Sequence, residues 1–260
     1  MKQFILVANW KMNPITVEGA QHLWNVVSKG IDGTDKTKVV VCPPFSYLHL
    51  FSSLKGISLG AQDCFWQQEG AYTGEVSPKM LVDLGCEYVI VGHSERREYA
   101  KEDNQIVNKK VKAALDARLH PILAIGEKIR ETFDSRGKHT NELDRIVERQ
   151  LVEGVAGVPK SRAEQLLIAY EPVWAIGTGI AAESNDVFTA VLFIRKILSQ
   201  LYSRSIADRI PVLYGGSTDS KNLTQFLQEG NADGALVGGS SINASEFLRM
   251  IKVAEEITGK

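Results

Sequence analysis

One carboxylate, Glu171, closes an apolar run and is followed at once by Pro172, Val173, Trp174, Ala175 and Ile176. The run, residues 166–170, has the composition of a buried strand. Proline stops ladder pairing and biases the residue before it towards extended backbone. A carboxylate at a strand end, beside an apolar loop with Gly177 and Gly179 behind it, suits a general base under a closing lid. The plainer alternative is a solvated loop glutamate, with apolar neighbours that only cover a core edge.

Other strand ends offer complementary groups. Asn9 and Lys11 follow the first apolar run, two residues apart, a spacing that in extended chain projects both from one side. Lys11 brings a fixed cation suited to an anionic substrate; an ordinary surface lysine is the alternative. His93-Ser94-Glu95-Arg96-Arg97 follows the fourth run. Ser94 can cap a short helix with Glu95 in its first turn, which puts His93 at the positive end of that helix. Such a field disfavours imidazolium, so a neutral ring able to donate or share a proton is expected. A structural histidine bonded to backbone is the alternative.

Tyr214-Gly215-Gly216-Ser217 and Val237-Gly238-Gly239-Ser240-Ser241 each set a Gly-Gly turn between a strand and a helix. Glycine lets backbone amides approach an anion, and a helix N-terminus favours one. One such turn eases a tight bend as readily as it binds phosphate; two on adjacent strands point to phosphate. A cation, an imidazole, a carboxylate, a phosphate cradle and an apolar lid together suit proton abstraction next to a carbonyl on a small phosphorylated compound. No metal-ligand cluster, GxSxG or Schiff-base lysine signature stands in the sequence, and neither metal nor cofactor is expected.

The elements that must bring these groups together recur regularly. Strands are predicted at residues 4–8, 38–42, 57–61, 88–92, 121–125, 166–170, 210–214 and 234–237. Helices are predicted at 17–29, 46–53, 78–84, 104–117, 141–153, 185–202, 220–228 and 244–256. Ser77 before Pro78 is a cap followed by proline at the first helical position, Gly85 ends that helix, and Gly230 and Gly259 stand where C-terminal caps belong. The helix from Asn185 is more apolar than one stripe needs, as if covered on more than one side. The polar stretch 128–140 reads as a solvated loop and helix start. Eight uninterrupted β-then-α units predict a parallel sheet closed into a single-domain (β/α)8 TIM barrel over residues 1–260. An open doubly wound sheet would want a glycine-rich turn after strand one, where Asn9-Trp10-Lys11-Met12-Asn13-Pro14 stands instead. In a barrel of this kind the βα loops at the C-terminal strand ends carry the site, and a phosphate sits after strands seven and eight.

Composition limits the partners. The chain has 260 residues, 44% of them hydrophobic, and a net charge of −1. No global field favours nucleic acid or anionic lipid. Three cysteines, Cys42, Cys64 and Cys86, form no CxxC pair and read as small core residues of a reducing compartment. The first ten residues are too short for a signal h-region with a cleavage site, and no apolar run approaches the roughly 20 residues of a membrane span. A cytoplasmic protein that binds neither membrane nor nucleic acid is expected.

Ala8-Asn9-Trp10-Lys11-Met12-Asn13, Gly60-Ala61-Gln62-Asp63, Gly70-Ala71-Tyr72-Thr73-Gly74-Glu75-Val76-Ser77-Pro78, Tyr88-Val89-Ile90-Val91-Gly92-His93-Ser94-Glu95-Arg96-Arg97, the stretch from Ala169 to Gly179, Tyr214-Gly215-Gly216-Ser217 and Leu236-Val237-Gly238-Gly239 follow one another along nearly the whole chain. In content and order they resemble triosephosphate isomerases. The resemblance implies interconversion of D-glyceraldehyde 3-phosphate and dihydroxyacetone phosphate through an enediolate, in glycolysis and gluconeogenesis, without a cofactor. It implies that Glu171 is the base and His93 the electrophile at the carbonyl oxygen. Asn9 and Lys11 would hold substrate and oxyanion, Glu95 would orient Lys11, and Gly177, Ser217, Gly238 and Gly239 would bind phosphate. Neutral histidine, carboxylate base and closing loop are the known combination for this family and are carried over from it. The resemblance further implies a homodimer, with residues 65–75 docked beside the partner's lysine and Glu75 and Arg96 as an inter-subunit ion pair. Apolar Phe65, Trp66, Ala71 and Tyr72 in a loop make an interface sensible on their own account.

The chain departs from the family pattern in three places. Ala124 stands where cysteine is usual, with an expected effect on packing or stability near Glu171 and none on activity. Residues 180–185 lack the usual threonine- and proline-bearing helix start, which bears on lid closure. The loop at 128–140 is slightly longer than usual. Two rival readings remain: another phosphate-binding barrel, such as a sugar-phosphate epimerase or lyase, and a barrel kept for binding or adhesion. The first would want a metal cluster, a paired acid and base, or a Schiff-base lysine, and the second would not need Asn9, Lys11, His93, Glu95 and Glu171 together.

Overall fold

The computed structural model describes residues 3–31, 34, 36–129, 131–133, 139–141, 143–175 and 182–258. Eight strands, β1 (Phe4–Asn9), β2 (Thr37–Cys42), β3 (Ile57–Ala61), β4 (Tyr88–Val91), β5 (His120–Ile125), β6 (Leu167–Tyr170), β7 (Val212–Tyr214) and β8 (Gly234–Val237), pair in parallel. Each pairs with its neighbours in sequence, and β1 pairs with both β2 and β8, so the sheet closes into a barrel. Crossover helices cover its outside, the arrangement that parallel strands impose.

The period-two alternation of the strands separates two cores. Leu6, Val39, Val41, Val89, Val91, Leu123 and Ile168 face outwards into the layer shared with the helices. Val7, Val40, Cys42, Tyr88, Ile90, Ile122, Ala124, Leu167, Ala169, Leu213 and Leu236 fill the inside of the barrel. Carried two residues further, the inner rows Val7, Ala169, Leu213 and Leu236 arrive at Asn9, Glu171, Gly215 and Gly238. The strands that pack the interior therefore deliver polar and glycine positions to its mouth.

The helices obey local rules. Asp103 Oδ1 accepts the Ile106 N–H at 2.8 Å to cap Asn104–Asp116, and Ser77 accepts the Met80 N–H at 3.3 Å with Pro78 in the first turn. Gly85 follows at φ +83, the left-handed conformation a C-terminal cap needs. All three cysteines are buried and free.

Several expected elements differ. The helix expected at 46–53 is one turn, Phe45–Leu48, with Pro44 at its N-terminal cap. The stretch 128–140 enters a small antiparallel pairing, Glu131–Phe133 with His139–Asn141, and the helix expected at 141–153 is a π-helical turn, Leu143–Val147, followed by the helix Glu148–Gly154. On Ser184–Leu201, Val187, Ala190, Val191 and Ile194 are buried while Phe188 and Leu192 stay exposed, so the surplus of apolar residues is not covered within the chain. Gly259 lies outside the described residues.

Candidate active site

At the mouth of the barrel, Asn9, Lys11, His93, Glu171, Gly215, Gly216, Ser217, Thr218, Gly238 and Gly239 line a cavity of about 230 Å³. Glu171 leaves β6 with its side chain buried, only 2% exposed. Its Oε1 lies 3.0 Å from His93 Nε2, and its Oε2 accepts the Ser94 N–H at 2.9 Å. A Cβ on Gly215 would come to 2.9 Å of Glu171 Cγ, so that glycine makes room for the carboxylate arm.

His93 reaches the mouth by a break in parity. Gly92 sits at φ +73, and the helix Ser94–Tyr99 begins at once. His93, and not Ser94, is the capping residue: its Nδ1 accepts the Glu95 N–H at 3.2 Å. The imidazole does what the serine hydroxyl was expected to do, because its ring nitrogen falls where a cap oxygen would. With Nδ1 accepting, the neutral ring carries its proton on Nε2, facing Glu171. Burial pushes the His93 pKa down, but the charge and hydrogen bond of Glu171 outweigh it and leave it raised. Burial pushes Glu171 up, and His93 and the Ser94 amide outweigh that and hold it below the ordinary glutamate value.

Lys11 is not in extended chain as its spacing from Asn9 suggested. It sits at φ +52, a left-handed conformation costing about 1–3 kcal/mol for a residue with a Cβ. Two side chains hold it there: Asn9 Oδ1 accepts the Lys11 N–H at 3.1 Å, and Gln62 Nε2 donates to its carbonyl at 2.9 Å. Lys11 Nζ reaches Glu95 Oε1 at 2.6 Å. Opposite, the two Gly-Gly turns meet across the cavity. A Cβ on Gly238 would approach Lys11 Cε to 3.3 Å, whereas one on Gly239 would meet nothing within 4 Å, leaving open space. Gly177 and the lid residues 176–181 lie outside the described residues; the lid's first turn, Val173–Ala175, is a 3-10 turn.

Several supporting residues carried no assigned role in the sequence. Besides Gln62, buried Glu127 accepts from Tyr170 Oη and Trp174 Nε1, both at 2.8 Å, tying β6 to the lid's first turn. Tyr214 Oη accepts the Ala182 N–H at 3.3 Å, and Gly216 must be glycine beside it, since a Cβ would lie 2.1 Å from that oxygen. A glutamate buried two residues past a strand, as Glu127 is, is the one available sequence signal. Arg96 turns away from the mouth, to Asp63 at 2.9 Å and Glu102 at 2.6 Å of its own chain.

A closed parallel barrel whose mouth joins a buried carboxylate, an imidazole, a lysine and two glycine turns defines an enzyme that moves protons on a small anionic substrate. A family model described as triosephosphate isomerase matches residues 4–254. Proteins named triosephosphate isomerase from Dictyoglomus thermophilum and Moorella thermoacetica are 43% and 44% identical to this chain. The first match covers 97% of this chain and 100% of the relative, the second 96% and 98%. The chain belongs to the triosephosphate isomerase family and carries its activity, the interconversion of triose phosphates in glycolysis.

Proposed function

We propose that Glu171, His93, Lys11, Asn9 and Glu95 carry this interconversion of D-glyceraldehyde 3-phosphate and dihydroxyacetone phosphate. The observation that supports it most is the buried Glu171 carboxylate, 3.0 Å from His93 Nε2 and opening onto the same cavity as Lys11. Glu171 takes a proton from the carbon next to the substrate carbonyl. Negative charge moves to the carbonyl oxygen, where the His93 Nε2–H donates and Lys11 supplies a cation. Asn9 holds Lys11 in its strained backbone, and Glu95 orients the ammonium. His93 Nε2 gives its proton to that oxygen and takes the hydroxyl proton from the neighbouring one, and the enediolate takes the carbon proton back from Glu171 on the neighbouring carbon. Gly177, Ser217, Gly238 and Gly239 bind the phosphate, and the apolar lid keeps water from the enediolate, which would otherwise expel phosphate. No cofactor takes part in these steps.

The test is proton exchange. In deuterated water the wild type is expected to place deuterium on the substrate carbon next to the carbonyl during turnover, and Glu171→Gln is not. Exchange by Glu171→Gln at the wild-type rate would overturn the assignment.

As part of the same reading, residues 1–260 form one domain that works as a cytoplasmic homodimer. The surface round the mouth supports an interface: Met12, Ile15, Tyr72 and Met80 are exposed apolar residues. Phe65 is buried against Trp66 and Tyr72, so the protruding loop presents a preformed aromatic cluster. Arg96 is already paired within its chain, so any contact from a partner's Glu75 would join an existing network. Among the described residues no helix is long and apolar enough to cross a membrane. Light scattering that finds a fully active monomer at dilute concentration would remove the dimer.

A further inference from the structure

Glu171 is held by its backbone as well as by its carboxylate, and one side chain outside the substrate cavity bears on that backbone. Gly126, the residue after β5, packs on the Glu171 peptide so closely that a Cβ there would lie 1.7 Å from the Glu171 carbonyl oxygen. The Glu171 N–H donates to Ile125 O at 2.8 Å. Beyond Ile125 the strand has ended, and the Gly126 peptide groups turn to a single side chain. The Gly126 N–H donates to Gln150 Oε1 at 2.8 Å, and Gln150 Nε2 donates back to Gly126 O at 3.1 Å. One carboxamide closes the same kind of two-bond ring that a neighbouring strand would supply.

Gln150 stands on the helix Glu148–Gly154, outside the barrel. Behind the base, Gln150, Gly126, Ala124, Arg97 and Glu171 line a cavity of about 520 Å³. Close packing fixes atoms by contact; with open volume on this flank, directed hydrogen bonds must do that work.

We infer that Gln150 is a positioning residue for the base. Its carboxamide fixes the Gly126 peptide, and through it the backbone from which the Glu171 carboxylate reaches the substrate. Gln150 itself touches no reacting atom. The inference rests on the assignment of Glu171 as base.

Gln150→Met keeps the side-chain length and removes both hydrogen bonds. A misplacement of the base of about 1 Å costs up to about 100-fold, so kcat is expected to fall about 10–100-fold with KM within about twofold. Repeating the substitution in Glu171→Asp, where the carboxylate is already displaced, separates positioning from general loosening. Gln150→Met is expected to cost several-fold less in that background than in the wild type. Losses that multiply across the two backgrounds, or a wild-type kcat in Gln150→Met, would overturn the inference. Full activity of Glu171→Gln alone would instead overturn the base assignment, so the two failures are distinguishable. Should Gln150→Met not fold, Gln150→Asn keeps the carboxamide but sets it back by one methylene, which weakens both hydrogen bonds without adding charge. The same cycle then expects a smaller non-multiplying loss, and multiplying losses again overturn the inference.

Discussion

Two clusters of charge lie on either side of the helix Ser94–Tyr99, and each sets a lysine among carboxylates. On one side, Lys11, His93, Glu95 and Glu171 stand at the mouth of the barrel. On the other, Lys110 donates to both oxygens of Asp63 at 2.7 Å and to Glu102 at 2.6 Å, while Arg96 reaches Asp63 and Glu102 as well. The second cluster pairs its cations with its own carboxylates, and Lys110 is 2% exposed. In the first, Lys11, His93 and Glu171 share a cavity of about 230 Å³. Burial is common to both, yet it acts with opposite net result on the two central acids. Burial pushes Asp63 up to about 6 even against Lys110 and Arg96, whereas Glu171 stays below its ordinary value. Charged residues that answer one another hold a fold together; charged residues held facing open space are available for chemistry.

That contrast is broken most forcefully by two substitutions that should fail in different ways. Glu171→Gln is expected to lower kcat/KM by about 10²–10⁴-fold with the thermal midpoint nearly unchanged. Lys110→Met should cost about 3–5 kcal/mol of stability, since it leaves two buried carboxylates, Asp63 and Glu102, to Arg96 alone, while the folded fraction keeps its kcat. Activity measured beside chemical denaturation separates the two, and the reverse pattern in either variant would erase the distinction. Next in size, Lys11→Met is expected to lose about 10²–10³-fold in kcat/KM. Asn9 and Gln62 hold Lys11 in its strained backbone, so Asn9→Ala should give a smaller loss in the same direction.

Carboxyl titration by ¹³C NMR sharpens the comparison further. Asp63 should titrate near 6 and Glu171 below about 4.3, the usual glutamate value. For Asp63, the folded pKa exceeds the unfolded one, so its contribution to stability declines as pH rises from about 4 to 6. For Glu171 the sign is opposite: its contribution is present above about 4.3 and lost as pH falls through the lower folded value. A Glu171 value above that of Asp63 would contradict both assignments. The smallest expected effect belongs to Ala124→Cys, which adds one sulfur beside the cavity behind the base. Stability should change by less than about 1.5 kcal/mol, read from the denaturation midpoint, with kcat unaltered.

Much of the fold was legible because each strand's apolar composition and each helix's punctuation agreed with the barrel. Glu171, Asn9 and Gly238 could be placed from sequence since they continue inner rows by simple alternation. His93 could be listed but not aimed, because its direction depends on the positive φ of Gly92 and on the ring itself capping the helix. Lys11 was placed at the right loop with the wrong backbone, since its left-handed turn is imposed by Asn9 and by Gln62, 51 residues away. The partition of Glu95 and Arg96 to opposite sides of one short helix, and the reach of Gln150 to Gly126, are tertiary facts with no local signature. The pairing of residues 131–133 with 139–141 was hidden by polar composition, which reads as loop whether or not the strands pair.

The most direct measurement is isomerisation of D-glyceraldehyde 3-phosphate by the purified chain, coupled to a dehydrogenase, with Glu171→Gln and Lys110→Met assayed at matched folded concentration. The wild type should approach the diffusional ceiling of about 10⁸–10⁹ M⁻¹s⁻¹, for which this family is a known example. Glu171→Gln should fall far below it while Lys110→Met stays near it per folded molecule. Equal losses in the two variants, or an active Glu171→Gln, would contradict the claim that the open cluster at the barrel mouth, and not the closed one beside it, performs the chemistry.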